Sequence, residues 1–265
     1  DLAARAHRLH IAIENVSQDL NIGSIVRTAN AFNVAGVHII GRRRWNKRGA
    51  MVTNRYLDVR HHPDPDELLA WASGAGYEAI AITDHADDSN IGTLIPNLLR
   101  VAKALNACNK TRLIVGGELT HVPPSHIAEL TAESRRLGAQ IVVVHGETPV
   151  EPVAPGTNRA ALEAGVDLLA HPGFITLDEA RLAAERGVLL ELSSRGGHSL
   201  TNGHVAKMAR AAGALLSVDS DAHEPEDFLS AAMAERVALG AGLSIEEYQQ
   251  VRENMRAVAA RAAAI

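Results

Sequence analysis

Apolar residues in this chain come in short β-branched or leucine-rich runs, separated by longer stretches in which Ala, Leu, Glu and Arg recur at helical spacing. Short runs bounded by turn residues predict strands, and the spacing between them predicts helices. The strand candidates are residues 10–15, 36–41, 78–85, 112–119, 140–147, 166–173, 188–194 and 215–223. Helices are predicted over 66–75, 125–138, 177–187 and 204–213, and a last one follows Ser244, which has the chemistry of an N-cap with acids in the next turn. This alternation predicts a parallel sheet with crossover helices. Eight such units most economically close into an α/β (βα)8 TIM-like barrel, with an open doubly wound sheet as the alternative.

Composition narrows the setting. The chain has 265 residues, of which 46% are hydrophobic, enough to bury one barrel-sized core. Its net charge of -5 offers no global basic field for nucleic acid or an anionic membrane, so such a partner needs a local patch. The lone Cys108 excludes an intrachain disulfide and a thiolate metal cluster, which fits a reducing cytoplasm. No stretch approaches the roughly 18 uninterrupted apolar residues of a membrane span, so a soluble protein is expected.

Chemistry gathers where the predicted strands end. Five of the last six candidates finish in a metal-ligand type: His85, Glu118, His145, His171, and the pair Asp221 and His223. Parallel strands deliver their carboxyl ends to one rim, so these side chains, distant in sequence, are expected to meet. Oxygen and nitrogen donors without thiolate suit Zn, Mn or Fe, and a carboxylate such as Glu118 can bridge two ions where an imidazole cannot. In the loop after residue 194, Arg195, His198 and Asn202 offer donors suited to a substrate phosphate, although Asn202 or Thr201 could equally cap the next helix.

The segments AITDH, GGELTHVPP, VVVHGETPVEPVAPGTN, LLAHPG, LELSSRGGHSLTNGHV and VDSDAH, in that order from about Gly76 onward, resemble the successive motifs of the PHP family, the polymerase and histidinol phosphatase metallohydrolases. The resemblance implies a distorted (βα)7 barrel that hydrolyses phosphoesters with up to three divalent ions. By that analogy His85 and His223 serve one ion, Glu118, His145 and His171 a second, and Glu118 with Asp221 a third. Glu118, Asp221 and His223 would then carry the catalysis. The strand with a His-x-His pair that opens such proteins is absent here, so one ion is expected to survive rather than three.

Upstream, NIGSIVRTA, with Asn21, Ile22, Gly23 and Arg27, resembles the amino-terminal part of the SPOUT family of RNA methyltransferases, the TrmH-like group. The knotted half that holds S-adenosylmethionine in that family has no counterpart here, so this cofactor is not expected. Asn21 and Arg27, together with the basic run Arg42, Arg43 and Arg44, would be the remaining RNA contacts. The run could instead draw phosphorylated substrates to the mouth of the site, and a solvated loop is the commoner fate of such a run. His61 and His62 precede Pro63 and are read as loop residues at a seam.

Residues 1–70 thus read as SPOUT-like βα units and 71–265 as PHP-like units with a final helix, joined in one barrel as a chimera, engineered or natural. The leading expectation is a metal-binding PHP-like phosphoesterase scaffold, impaired by the exchanged strand, that takes a phosphorylated small molecule and neither RNA nor a membrane. The alternatives are a designed fold chimera without catalysis and an RNA-binding or methyltransferase remnant.

Overall fold

The structure, a computed structural model, describes residues 7–14, 34–40, 58–62, 73–74, 76–222 and 229–264, and for the first three stretches it describes the backbone alone. The chain divides into two compact units, Asp1–Gly76 with Asp221–Leu229, and Tyr77–Ser220 with Ser230–Ile265. In the first unit, β1 (His7–Glu14), β2 (Val34–Ile40) and β3 (Asp58–His62) form a parallel sheet in that order. His61 and His62, expected in a loop, end β3, where they pair in register with Ile39 and Ile40.

The second unit carries the larger sheet. Along the chain it comprises β4 (Ala79–Ile82), β5 (His85–Ala86), α1 (Ile91–Cys108), β6 (Arg112–Leu119), α2 (Pro124–Arg136), β7 (Ile141–His145), α3 (Thr157–Ala164) and β8 (Leu168–Ala170). It continues with α4 (Leu177–Arg186), β9 (Leu189–Ser193), a short 3-10 turn (His198–Thr201), α5 (Asn202–Ala212), β10 (Leu216–Asp219), α6 (Ala231–Gly240) and α7 (Ile245–Ala263). The strands are parallel throughout, in the order β10-β9-β8-β7-β6-β4, with β5 also on β6.

Local sequence explains these elements. Thr176 and Ser244 each cap a helix through a reciprocal capping box, with Glu179 and Glu247 at the third helical position. Gly187 closes α4 in the left-handed conformation, which a Cβ would disfavour. In β6, Gly116 lets the strand approach β7 closely, because a Cβ there would lie 2.2 Å from the Ile141 carbonyl oxygen.

Among the described residues the expected closed barrel does not form. The second unit is a curled, half-barrel parallel sheet, and β1, β2 and β3 form a sheet of their own. Closure requires the two edge strands to pair, and the edge at β10 is already engaged by α7. The Val218 N–H donates to Met255 Sδ at 3.5 Å, and the Leu216 carbonyl accepts from Asn254 Nδ2 at 3.4 Å. The same helix runs on to the amino-terminal ends of β6 and β7, where the carbonyls of Ala262 and Ala263 accept from Gln140 and Arg112. Its apolar stripe of Val258, Ala259 and Ala262 packs on Ile114, Ile141, Val143, Leu168 and Ala170. The final helix therefore fills the hollow of the half barrel and buries those residues. Among the described residues, no helix is long and apolar enough to cross a membrane.

Candidate functional site

The alternation that aims Ile141 and Val143 at α7 places His145 on the same face at the end of β7. Glu118 comes from the neighbouring strand β6, and His171 follows β8 directly with φ 29. All three are buried among apolar strands. Ligand atoms of His85, Glu118 and His145 lie within 4.8 Å of one another.

Hydrogen-bond partners set the proton positions. His145 Nε2 lies 3.1 Å from the carbonyl oxygen of Glu151, which can only accept, so Nε2 carries the hydrogen and Nδ1 a lone pair. His171 Nδ1 donates to Glu191 Oε2 at 3.0 Å, which turns its Nε2 lone pair toward His145 Nδ1, 3.1 Å away. Glu118 Oε1 sits 3.3 Å from that His145 nitrogen and 3.8 Å from His171 Nε2, buried and accepting no hydrogen bond. Three acceptor atoms thus converge on one point.

A single proton can satisfy one pair among these acceptors, whereas a cation satisfies all three at once. Donors sharing a tetrahedral ion at ordinary metal–ligand lengths stand about 3.4 Å apart, which matches this spacing. The residues therefore fit a divalent ion, and Glu118 can offer its second oxygen toward His85 Nε2, 3.8 Å from Oε2.

Of the remaining candidates, one lies beside these residues and the others have different surroundings. His198 is buried, with Nδ1 2.8 Å from Thr148 Oγ1 and its ring centroid 4.2 Å from that of His171. Burial, and then the His171 imidazole, push it down to about 4, so it is neutral near pH 7. Arg195 pairs with Glu151 at 3.6 Å. Asn202 is buried, with its amide oxygen accepting from the Ser193 N–H and its amide nitrogen donating to the Ser193 carbonyl. Its amide thus fastens the end of β9 to the start of α5. Asp221, at φ 46, belongs to the first unit. His223, Asn21, Arg27, Arg42, Arg43 and Arg44 lie outside the described residues.

Glu191 and Glu151, both neighbours of the cluster, carry no role in the sequence reading. Glu191 had a visible signal, since it is a single acid inside the apolar run VLLELSS, and a charge within a buried strand needs a partner. Glu151 acts on His145 through its backbone, which no side-chain pattern reveals.

Comparison with known proteins finds similarity to an rRNA methylase family and to two archaeal proteins. Residues 8–135 match the SpoU rRNA Methylase family, running through the junction expected after residue 70. The uncharacterized protein MJ1295 of Methanocaldococcus jannaschii is 44% identical over 187 residues, covering 70% of this chain and 86% of that protein. Ribonuclease P protein component 3 of Methanosarcina barkeri is 32% identical over 136 residues, covering 49% of this chain and 50% of that protein, so the chain spans half of this relative. Among solved structures, a Xaa-Pro dipeptidase with bound methionine aligns over 82% of this chain and 72% of its own, with 11% identity and a TM-score of 0.46, and nothing functional rests on that likeness.

These findings overturn the expected PHP-like phosphoesterase. The matches that carry a functional description name an rRNA methylase family and a ribonuclease P component, which favours the RNA reading that had stood as an alternative.

Proposed function

Because the chain belongs to the family of the uncharacterized protein MJ1295, with an amino-terminal half that matches the SpoU rRNA methylases, we propose that it is an RNA-associated protein whose second unit is built around a divalent-cation centre. The observation that carries the first part is the convergence of two separate matches, to the SpoU rRNA Methylase family and to ribonuclease P protein component 3, on RNA. The second part is supported by the meeting of Glu118 Oε1, His145 Nδ1 and His171 Nε2 without enough protons to share.

With a net charge of -5, RNA affinity has to come from local basic segments, and the run Arg42, Arg43 and Arg44 is the densest in the sequence. The partner class is a structured RNA, held mainly through its phosphates. Fluorescence anisotropy with labelled transfer RNA and a ribosomal RNA fragment, repeated across a salt series, tests this. Replacing all three arginines by alanine is expected to weaken binding and to lower the salt slope by about 2 to 3. Failure of the unaltered protein to bind either RNA at low salt would sink the proposal.

A further inference from the structure

We infer that Glu191 is a positioning residue that sets both the ring tautomer and the backbone of His171 and so presents His171 Nε2 to the cation. This rests on the cation-centre reading above. Glu191 comes from β9, the strand beside β8, and is 2% exposed. One of its oxygens does two jobs: Oε2 accepts from the His171 backbone N–H at 2.7 Å and from His171 Nδ1 at 3.0 Å.

The two contacts solve separate problems. His171 has φ 29, a backbone region that a residue with a Cβ enters only at a cost, and the short hydrogen bond from its N–H anchors that conformation. The ring contact fixes which nitrogen holds the hydrogen. A carboxylate only accepts, so Nδ1 must donate and Nε2 must keep its lone pair, aimed at His145 Nδ1 and Glu118 Oε1. A ligand imidazole that donates its other N–H to a carboxylate is held in one orientation and made more basic.

An amide at this position can occupy the same space, but with its oxygen on these two contacts it is an uncharged and weaker acceptor, and with its NH2 group there it opposes the His171 N–H donor, so either orientation loosens the hold on the ring and backbone of His171. Glu191→Gln is therefore the informative variant, with Glu191→Asp as the conservative one that keeps an acceptor-only group. Co(II) is titrated into the full-length protein and its d–d absorption recorded. Nitrogen-15 spectra of the metal-free protein assign the His171 tautomer.

In the unaltered protein the spectra are expected to show hydrogen on Nδ1 and none on Nε2. Glu191→Gln is expected to weaken Co(II) binding about 10- to 100-fold and to change the band shape, with Glu191→Asp recovering part of the affinity. Hydrogen on His171 Nε2 in the unaltered protein overturns the inference even if the glutamine variant does not fold. Equal Co(II) affinity of the unaltered protein and Glu191→Gln overturns it alone. Absence of Co(II) binding by the unaltered protein overturns the cation centre and this inference together.

Discussion

Replacing Glu118 by glutamine should make the metal-free protein more stable and the metal-loaded one less so. Glu118 is 5% exposed, and its Oε1 accepts no hydrogen bond while facing two imidazole lone pairs at 3.3 and 3.8 Å. A buried acceptor left in that state costs about 1–3 kcal/mol. The amide NH2 of glutamine supplies the missing donor to His145 Nδ1 or His171 Nε2, so much of that cost is recovered. In EDTA at pH 8, above the ordinary imidazole range, Glu118→Gln is expected to be more stable than the unaltered protein by about 1–3 kcal/mol. Zinc reverses the order. At 1,000 times the dissociation constant a ligand confined to the native state adds about 4.1 kcal/mol, and the variant, with one anionic ligand gone, gains little of it. Urea unfolding with EDTA and then with excess zinc measures both legs. A variant that is less stable in EDTA and responds to zinc like the unaltered protein would refute the account of converging acceptors.

Gly173, two residues beyond His171, has φ 63, and a Cβ there would lie 1.9 Å from the Glu147 carbonyl oxygen, so Gly173→Ala is expected to lose more than about 2 kcal/mol in urea unfolding. Glu247 accepts from the Arg210 guanidinium and, as the capping-box acid, from the Ser244 N–H, and these contacts hold its carboxyl at about 2, below the ordinary 4.5. Because the folded value is the lower one, this contribution is present above pH 4.5 and fades as the pH falls toward about 2. Glu247→Gln is therefore expected to flatten the fall in stability over that window, and an unchanged acid profile would count against the pairing.

The main strands of the second unit were legible because they are apolar runs with polar ends, and β6, β7, β9 and β10 lie within their predicted ranges. β3 was not, since Arg60, His61 and His62 carry no apolar alternation and the strand is defined by its pairing with β2. In α1, Gly92 and Pro96 interrupt the helical pattern, yet the helix runs through both under tertiary packing of buried Ile91, Ile95, Ala102 and Leu105. Closure was misjudged because counting strands does not fix which edges pair. The bonds that occupy the β10 edge come from Asn254 and Met255, residues whose side chains look like an ordinary helix surface in the sequence. Asn202 shows a similar limit at the candidate site. Its amide suits a phosphate as well as a backbone, and only the fold shows both of its ends taken by Ser193.

The open sheet changes what the candidate centre depends on. Glu118, His145 and His171 come from β6, from β7 and from the residue after β8, three strands that are consecutive neighbours. Neighbouring strands lie about 4.8 Å apart, so side chains rising from one face of adjacent strands reach one another without help from the far wall of a barrel. The lower part of that face is apolar and covered by Val258, Ala259 and Ala262 of α7, which excludes water from beneath the cluster. Above it, the imidazoles are held from the side by the Glu151 carbonyl and by Glu191. A three-donor centre can therefore survive a failure to close, because its geometry is set by strand adjacency and by a helical floor. Donors supplied from across a closed barrel would have no such protection.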